Sequence, residues 1–396
     1  MDGLVRTCTF VKMIHFFSMH VQVIVMIFIS VCFTNCTSTK NYEKEQVSKI
    51  RLVKTDSIQF PLPADAAAQS NSIALFQTDN NLLLYEHSGL NSATVYSMEN
   101  GNIFKSIKWD HNGPNGVKSR IGFIIPITID SIVLVFPDQK KLYFSNSQAI
   151  ISSIENINYE FTQPKGSYIR FSIFSPVVSN ASKIILPTVK TYWDDFDNAY
   201  GLIEVDTKAG TTREIAPFPK TISENGWWDS YHTWCAAVIN SKNEMVISIG
   251  IDKDIHVIKN NMEQSYYAGS KRIGNRPKHK VRPKEFLIEE FEGYWSHIYN
   301  TGWYAGILYD KWNKLYYRFG YAAGKDEFRS PNQIFENPFV VVLNEKFEKI
   351  GEFTLDNNEY DLNRIFIAPK GLYVFNKAKY NENEDYLKFD IFNIVE

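Results

Sequence analysis

The chain contains 396 residues, of which 44% are hydrophobic and 15% aromatic, and its formal net charge at pH 7 is −2. This composition is ordinary for a folded protein and allows a large core. The near balance of charge gives no sign of a nucleic-acid-binding protein, which would carry a basic patch or stripe.

The amino terminus predicts export. Arg6 and Lys12 precede the apolar run Val21–Phe33. The run is too short to cross a bilayer, because a spanning helix needs about 20 apolar residues. A short apolar run behind basic residues is typical of a signal peptide. Initiation at Met13 or Met19 would give a signal of more ordinary length.

A lipid anchor is predicted directly after this run. Residues 33–36 read Phe-Thr-Asn-Cys and resemble a bacterial lipobox, although phenylalanine and asparagine replace the usual leucine and small residue. Cys36 would then carry the lipid and become the first mature residue. We predict a lipoprotein signal peptide over 1–35, a tether over 36–46 and a folded domain over 47–396. The alternative is a plain secretory signal with an incidental cysteine.

The predicted location of the protein is the cell envelope. A lipid on Cys36 would hold the exported protein at the outer membrane, and the lack of an obvious acidic run after that residue favours the periplasmic side. Cys235 would be the only cysteine left without lipid, so we expect no intrachain disulfide and a small buried side chain at that position.

A pattern of two apolar strands joined by a tight polar turn recurs six times. The copies are Ser72–Phe76 with Leu82–Tyr85, Gly122–Ile127 with Ile132–Val135, Arg170–Ser179 with Lys183–Leu186, Cys235–Asn240 with Glu244–Ser248, Ala305–Asp310 with Lys314–Arg318, and Arg364–Pro369 with Gly371–Phe375. The turns are roughly 50 to 70 residues apart, a spacing that indicates a propeller or a repeat array.

Further strands lie between these hairpins, so each repeat offers about four strands, the content of one propeller blade. The last repeat lacks its fourth strand, because only Tyr386–Ile394 follows its hairpin. The segment Val47–Leu62 can supply it and leave no sheet edge exposed. We therefore predict an all-β, six-bladed β-propeller closed by pairing of its N- and C-terminal strands. Two stacked β-sandwiches are the alternative. No long helical periodicity follows residue 40.

Long insertions interrupt repeats three to five, over residues 191–200, 218–233 and 269–303. Long connections on a rigid scaffold are where function usually lies. The first insertion holds the carboxylates of Asp194, Asp195 and Asp197. They could bind Ca²⁺, but the EF-hand pattern is missing. A solvated acidic loop is favoured, and no cofactor is predicted.

The insertions and the residues beside them also hold six of the eight tryptophans. Indoles near carboxylates and imidazoles suit a sugar face or a peptide side chain. The candidate ligand-binding residues are Trp193, Asp195, Trp228, His232, Trp295, His297 and Trp303. The alternative is that these rings fill gaps between blades. The histidines lack metal-ligand spacing, so no metal site is predicted.

The third insertion begins with eight basic residues between Lys271 and Lys284, and glutamates follow at once over 285–292. An anion-binding loop would bind an acidic glycan, a phosphate or a lipid headgroup. We favour a solvated loop whose charges the following acids neutralise.

Several stretches in the second half of the chain resemble a known family. They are Ile307–Lys311, Leu315–Phe319, Val340–Asn344, Ile350–Glu352 and Asn383–Phe392. They look like a domain-of-unknown-function family of Bacteroidetes-type lipoproteins. The resemblance implies a six-bladed, TolB-like propeller and a lipid anchor, and it supplies no catalytic residues.

No nucleophile elbow, phosphate loop, dinucleotide fingerprint or zinc-protease motif is present in the sequence. We therefore expect a non-enzymatic binding propeller of the envelope, with a glycan, a peptide or a protein as ligand and the membrane as partner through the lipid. The alternatives are a glycan hydrolase or lyase with a site assembled across blades, and a structural component of an envelope complex.

Overall fold

The computed structural model describes residues 50–396 except 65, 67–71, 80, 88–90, 114–115, 120, 158–166, 170–177, 181, 191–199, 220–229, 261 and 274–290. The predicted signal peptide, the tether and Cys36 lie outside the described residues. Within the described residues, no helix is both long and apolar enough to cross a membrane.

Blades 1 to 3 are antiparallel sheets. Blade 1 contains β2 (Ile73–Gln77), β3 (Leu82–His87), β4 (Ser92–Ser97) and β5 (Ile103–Lys108). Blade 2 contains β6 (Phe123–Thr128), β7 (Ser131–Phe136), β8 (Lys141–Ser145) and β9 (Ile151–Asn156). Blade 3 contains β10 (Ser167–Ile169), β11 (Val178–Asn180), β12 (Lys183–Lys190), β13 (Tyr200–Asp206) and β14 (Thr211–Pro217). The two short strands β10 and β11 both pair with β12.

Blades 4 to 6 follow the same plan. Blade 4 contains β15 (Cys235–Ile239), β16 (Met245–Ile249), β17 (Asp254–Lys259) and β18 (Met262–Tyr267). Blade 5 contains β19 (Trp303–Asp310), β20 (Leu315–Tyr321), β21 (Pro338–Leu343) and β22 (Lys349–Thr354). Blade 6 contains β23 (Tyr360–Ala368), β24 (Gly371–Asn376), β25 (Tyr386–Val395) and β1 (Arg51–Pro61). The prediction of an all-β, six-bladed propeller is confirmed, and five of the predicted hairpins form the first two strands of a blade. Most of the first strand of the third predicted hairpin, residues 170–177, lies outside the described residues.

The ring closes through β1, as predicted. This strand runs antiparallel to β25, from Arg51 opposite Val395 to Pro61 opposite Tyr386. An ion pair between Lys54 Nζ and Asp390 Oδ2, 2.7 Å apart, joins the two strands through their side chains. The buried ring of Phe60 packs between Tyr96 of blade 1 and Phe389 of blade 6.

The two ends of the ring differ in their connections. Because successive strands are antiparallel, the first and third strands of every blade end at the same end of the ring, which we call the short-turn end. Loops after the second and fourth strands lie at the other, the long-connection end. All three predicted insertions connect strands at the long-connection end. The strand β1 begins at the short-turn end, because it pairs with the end of β25 there.

Among the described residues, two α-helices and a 3₁₀ turn lie in connections of the long-connection end. They are α1 (Phe291–Thr301), the 3₁₀ turn Pro331–Phe335 and α2 (Lys377–Glu382). Helix α1 buries Ile298 and Tyr299, and Gly302 ends it at φ +70°, donating its N–H to the carbonyl of Ile298 at 2.9 Å. The sequence analysis found no helical periodicity here, because an 11-residue helix with one buried face leaves only a brief apolar pattern.

The core lies between adjacent blades. Side chains alternate along each strand, so Leu83 and Tyr85 of β3 pack towards blade 2 while Leu84 packs towards blade 6. Cys235 is buried in the cluster between blades 3, 4 and 5. Desolvation raises the pKa of its thiol far above the usual range, as expected for a cysteine that packs as a small apolar side chain.

Candidate functional site

The predicted ligand-binding residues divide into two groups. Trp193, Asp195 and Trp228 lie outside the described residues, as do Asp194 and Asp197 of the candidate Ca²⁺ loop. The second group, His232, Trp295, His297 and Trp303, is described. These four side chains belong to connections and strand ends of blades 4 and 5 at the long-connection end.

Two of the predicted histidines meet although 65 positions separate them (297 − 232). The rings of His232 and His297 contact edge to face, with centroids 5.3 Å apart. His232 precedes β15 and is fully buried, whereas His297 lies on α1 and is half-buried. Among the described residues, no three His, Cys, Asp or Glu side chains form a group that could hold a metal ion. No described His, Cys, Asp or Glu side chain therefore completes a metal site with these two histidines.

Next to the histidines lies a group of rings that we call the aromatic cluster: the buried rings of Tyr231, Trp234, Trp303 and Tyr321 and the half-buried ring of Phe335. Trp303 stacks on Tyr321, with centroids 5.2 Å apart, and meets the edge of Tyr231 at 4.8 Å. The cluster joins the connection before β15, the first strand of blade 5 and the 3₁₀ turn. Trp303 is thus a core ring that fixes these three segments to one another.

The outward side of this cluster is formed by α1. Tyr294, Trp295 and His297 on this helix are each half-buried. Trp295 lies 5.8 Å from Tyr231 between ring centroids and 5.0 Å from Tyr294, against which it is edge to face. The Tyr294 hydroxyl is 3.1 Å from Oγ of Ser230. Ring faces beside a hydroxyl and an imidazole are therefore held at the solvent boundary by a rigid layer of buried rings.

The base of this region is held by Arg318 on β20, which is completely buried. Its guanidinium lies 3.6 Å above the ring of Tyr304 and donates to Oγ of Ser248 at 2.9 Å. It also donates to the backbone carbonyls of Ile249, Asp252, Lys253 and Ala268. Every one of these carbonyls lies at the long-connection end of blade 4. Arg318 therefore fixes the base of that end to blade 5.

His256 has a structural role in blade 4. Its Nε2 lies 3.0 Å from Asp252 Oδ2, and its Nδ1 lies 2.8 Å from Glu263 Oε1. Desolvation lowers the pKa of this imidazole, but the hydrogen bonds and charges of the two carboxylates outweigh burial and raise it to about 9. The histidine is therefore protonated at neutral pH, and both of its nitrogens are engaged.

A third buried charged group, Glu86 on β3, was missed by the sequence analysis. It is 1% exposed, and neither carboxylate oxygen has a hydrogen-bond partner among the described residues. Desolvation raises its pKa to about 8, opposed by the charge of Arg364 across the seam between blades 6 and 1. The only sequence signal is the alternation Leu82, Leu84, Glu86, in which a carboxylate takes the third position on a buried face.

Comparison with known proteins gives a family and a fold. The profile of a family described as "Domain of unknown function (DUF4221)" matches residues 49–354. No curated protein matches the sequence. The crystal structure of a DUF4221 family member from Bacteroides vulgatus ATCC 8482 is similar, with a TM-score of 0.73 at 20% identity, covering 88% of this chain and 99% of that one.

A second crystal structure, of a candidate exported protein from Bacteroides fragilis NCTC 9343, superposes with a TM-score of 0.55 at 8% identity. The match covers 89% of this chain and 98% of that one. At these identities the two structures support the fold alone. The family profile, which spans well over half of the sequence, shows that this chain belongs to the DUF4221 family.

Proposed function

We propose that this protein is a lipid-anchored envelope protein whose long-connection end binds a glycan, a peptide or another protein without catalysis. The observation that carries the proposal is the contrast between the two ends of the ring. The three long insertions and both α-helices of the described residues are in connections of one end, whereas tight turns join the first to the second strand of every blade and the third to the fourth strand of blades 1 to 5 at the other. Binding on propellers and comparable scaffolds is usually built from such loops.

The exposed part of α1 is the proposed contact surface. Tyr294 and Trp295 offer ring faces, and the half-buried imidazole of His297 and the Tyr294 hydroxyl offer hydrogen-bonding groups. A ring face covers the apolar C–H surface of a sugar or a peptide side chain, while the polar groups fix its orientation. The predicted residues Trp193, Asp195 and Trp228 are proposed to extend this surface. In this arrangement Trp303 is the buried support of Tyr231, against which Trp295 packs.

The membrane connection is proposed to be the lipid on Cys36. Each buried methylene contributes about 0.8 kcal/mol, so two or three acyl chains can hold a folded domain at a bilayer. The fold is shared with a candidate exported protein of Bacteroides fragilis, which fits the export that the amino-terminal signal predicts. The outer membrane, with the domain on its periplasmic side, is the proposed location. The anchor is tested by mass spectrometry of the mature amino terminus, where an unmodified cysteine would exclude it.

Ligand binding is tested by screening the full-length protein against glycan and peptide arrays, followed by titration of each hit. We expect Trp295→Ala to weaken binding about tenfold, the effect of losing about 1.4 kcal/mol. The matched control is Trp312→Ala, because Trp312 is also half-buried but lies in a tight turn at the short-turn end. Equal affinity of both variants and the wild type for every hit would exclude α1 as the contact surface.

A hydrolase or lyase remains a second candidate because of Glu86. A carboxyl group that is protonated at neutral pH is what a general acid requires, and its pKa of about 8 would provide that. Its 1% exposure and the absence of any second carboxylate acting on it among the described residues favour binding over catalysis. Turnover of any glycan hit by the wild type, abolished in Glu86→Gln, would reverse this preference.

A further inference from the structure

The largest exposed apolar side chains of the described residues concentrate at the short-turn end. Ile103, Ile129, Ile150 and Met262 lie in or directly beside turns at this end, and Phe104 follows Ile103. Phe104 is 49% exposed, and Ile150 is 51% exposed. Isolated exposed apolar residues are ordinary, but a group of them at one end of a domain indicates an interaction surface.

Most of this surface belongs to blades 1 and 2. We call it the apolar rim and define it as Ile103, Phe104, Ile129 and Ile150, which lie at or next to the turns, together with Ile154 further along β9. Hydrogen bonds hold its parts together across the two blades. Lys105 Nζ donates to Ser147 Oγ at 2.7 Å, and the Ser147 hydroxyl in turn donates to Asp130 Oδ1. Each of these three polar residues is a near neighbour in sequence of a rim residue.

The charges next to the rim are already compensated. Hydrogen bonds from Ser147 lower the pKa of Asp130, and the charge of Lys105 adds to that effect. Lys105 itself is bound to Ser147. Covering the rim with an apolar medium would therefore leave both of these side chains hydrogen-bonded, which lowers the cost of burying them.

The position at which the chain enters the propeller indicates that a bilayer can cover the rim. The first strand, β1, begins with Arg51 at the short-turn end. About 15 residues join this position to Cys36. A segment of this length spans at most about 50 Å. A lipid on Cys36 would therefore keep a bilayer within reach of the end that carries the rim.

We propose that the apolar rim of blades 1 and 2 rests on the bilayer that holds the lipid anchor. This inference rests on the proposed anchoring at Cys36. A weak intrinsic affinity is sufficient, because the anchor gives the rim a high effective concentration at the membrane. Insertion of Phe104 and Ile150 side chains orients the propeller, and the long-connection end then points away from the lipid. The rim thus provides a defined orientation, which a lipid anchor alone would not give.

The test uses the full-length lipoprotein in vesicles of phosphatidylethanolamine with a minor share of phosphatidylglycerol. An environment-sensitive fluorophore is attached to Ile150→Cys, and to His111→Cys as the control. His111 is exposed in the connection between the same two blades but at the opposite end. Cys235 is buried and Cys36 would be acylated, so the introduced thiol is the one that reacts. Quenching by spin-labelled lipid is then measured at both positions.

We expect quenching at position 150 to be several-fold stronger than at position 111, and to fall when Phe104→Glu is added. Equal, weak quenching at both positions in vesicle-bound protein would overturn the rim proposal and leave the anchor intact. Protein that washes off the vesicles in alkaline carbonate would instead refute the anchor, and the rim proposal with it. A blue shift at position 150 that persists in detergent and disappears on dilution would assign the rim to a second copy of the chain, which also overturns the proposal.

Discussion

Two seams between blades of the propeller each contain a fully buried charged residue, and the two residues differ in how many hydrogen-bond partners they have among the described residues. Between blades 4 and 5, the guanidinium of Arg318 has a hydroxyl, four carbonyls and a ring face as partners. Between blades 6 and 1, the carboxyl of Glu86 has no hydrogen-bond partner among the described residues. Burial of a charge is tolerated when its hydrogen bonds are replaced, and otherwise the group tends to stay neutral. Arg318 therefore stabilises the seam between blades 4 and 5, whereas ionisation of Glu86 destabilises the seam between blades 6 and 1 as pH rises.

The largest effect is expected for Arg318→Met, which removes the donors and leaves buried carbonyls without partners. Such a loss costs on the order of 4 kcal/mol of unfolding free energy. Urea denaturation measures it. Arg213→Met is the control, because Arg213 is an exposed residue paired with Glu204 on the outer face of blade 3. A similar midpoint for the wild type and Arg318→Met would show that the network at the blade 4–5 seam is not stabilising.

Glu86→Gln is expected to stabilise the protein. The pKa of Glu86 is raised from 4.5 to about 8 in the folded state, so the unfolded chain releases this proton first. Stability is therefore lost as pH rises from about 4.5 through 8. The variant should gain roughly 3 kcal/mol over the wild type at pH 8.5 and close to nothing at pH 4.5. Denaturation at both pH values measures this. The same gain at both would exclude ionisation of Glu86 as the cause.

His256→Gln tests a buried imidazolium that is hydrogen-bonded to the carboxylates of Asp252 and Glu263. Its pKa is raised from 6.5 to about 9, so its contribution is complete below pH 6.5 and is lost as pH rises through 9. The wild type should lose about 2 kcal/mol between pH 6 and pH 10 that the variant does not lose. This pH window overlaps that of Glu86, so the comparison is made in the Glu86→Gln background. Parallel stability curves there would contradict the assignment.

The smallest effect is expected for Lys54→Met at the closure of the ring. Asp390 is buried and bonded to Lys54, Lys379, Asn376 and Tyr360, so removal of one partner leaves three. Because Lys54 is 41% exposed, a loss of only about 1 kcal/mol is expected. Thermal unfolding measures it, with Lys370→Met at the exposed pair to Asp56 as control. A loss as large as that of Arg318→Met would mean that closure depends on this one ion pair.

The architecture was predictable because each blade repeats a local signal, two apolar strands about a polar turn. The closing strand was predictable because the last repeat was one strand short. By contrast, the contact between His232 and His297 joins two different connections between blades, and the spacing of the two residues in the sequence does not predict it. The acceptors of Arg318 are mostly backbone carbonyls, which every residue carries, so the sequence contains no mark of that network.

The tryptophans show that residue type alone does not predict which side chain can contact a ligand. Composition placed Trp295 and Trp303 among the candidate ligand-binding residues, and the two lie on the same side of the ring. Trp303 begins β19 and is enclosed by Tyr231 and Tyr321, whereas Trp295 lies on a helix and stays half-buried. Only the packing of the insertion separates a supporting ring from one that can meet a ligand.

The pairing of β1 with β25 also fixes the order in which the chain can fold. The first strand of the propeller to leave the ribosome completes its sheet with the last, and the Lys54–Asp390 contact spans 336 residues. Loop closure over such a distance is entropically costly and slow, so blades 1 to 5 can form before the ring does. Until β25 emerges, β1 has no sheet to join. A chain shortened by its last ten residues would lose the strand that links β1 to β24, leaving two open edges where the complete protein has a continuous sheet.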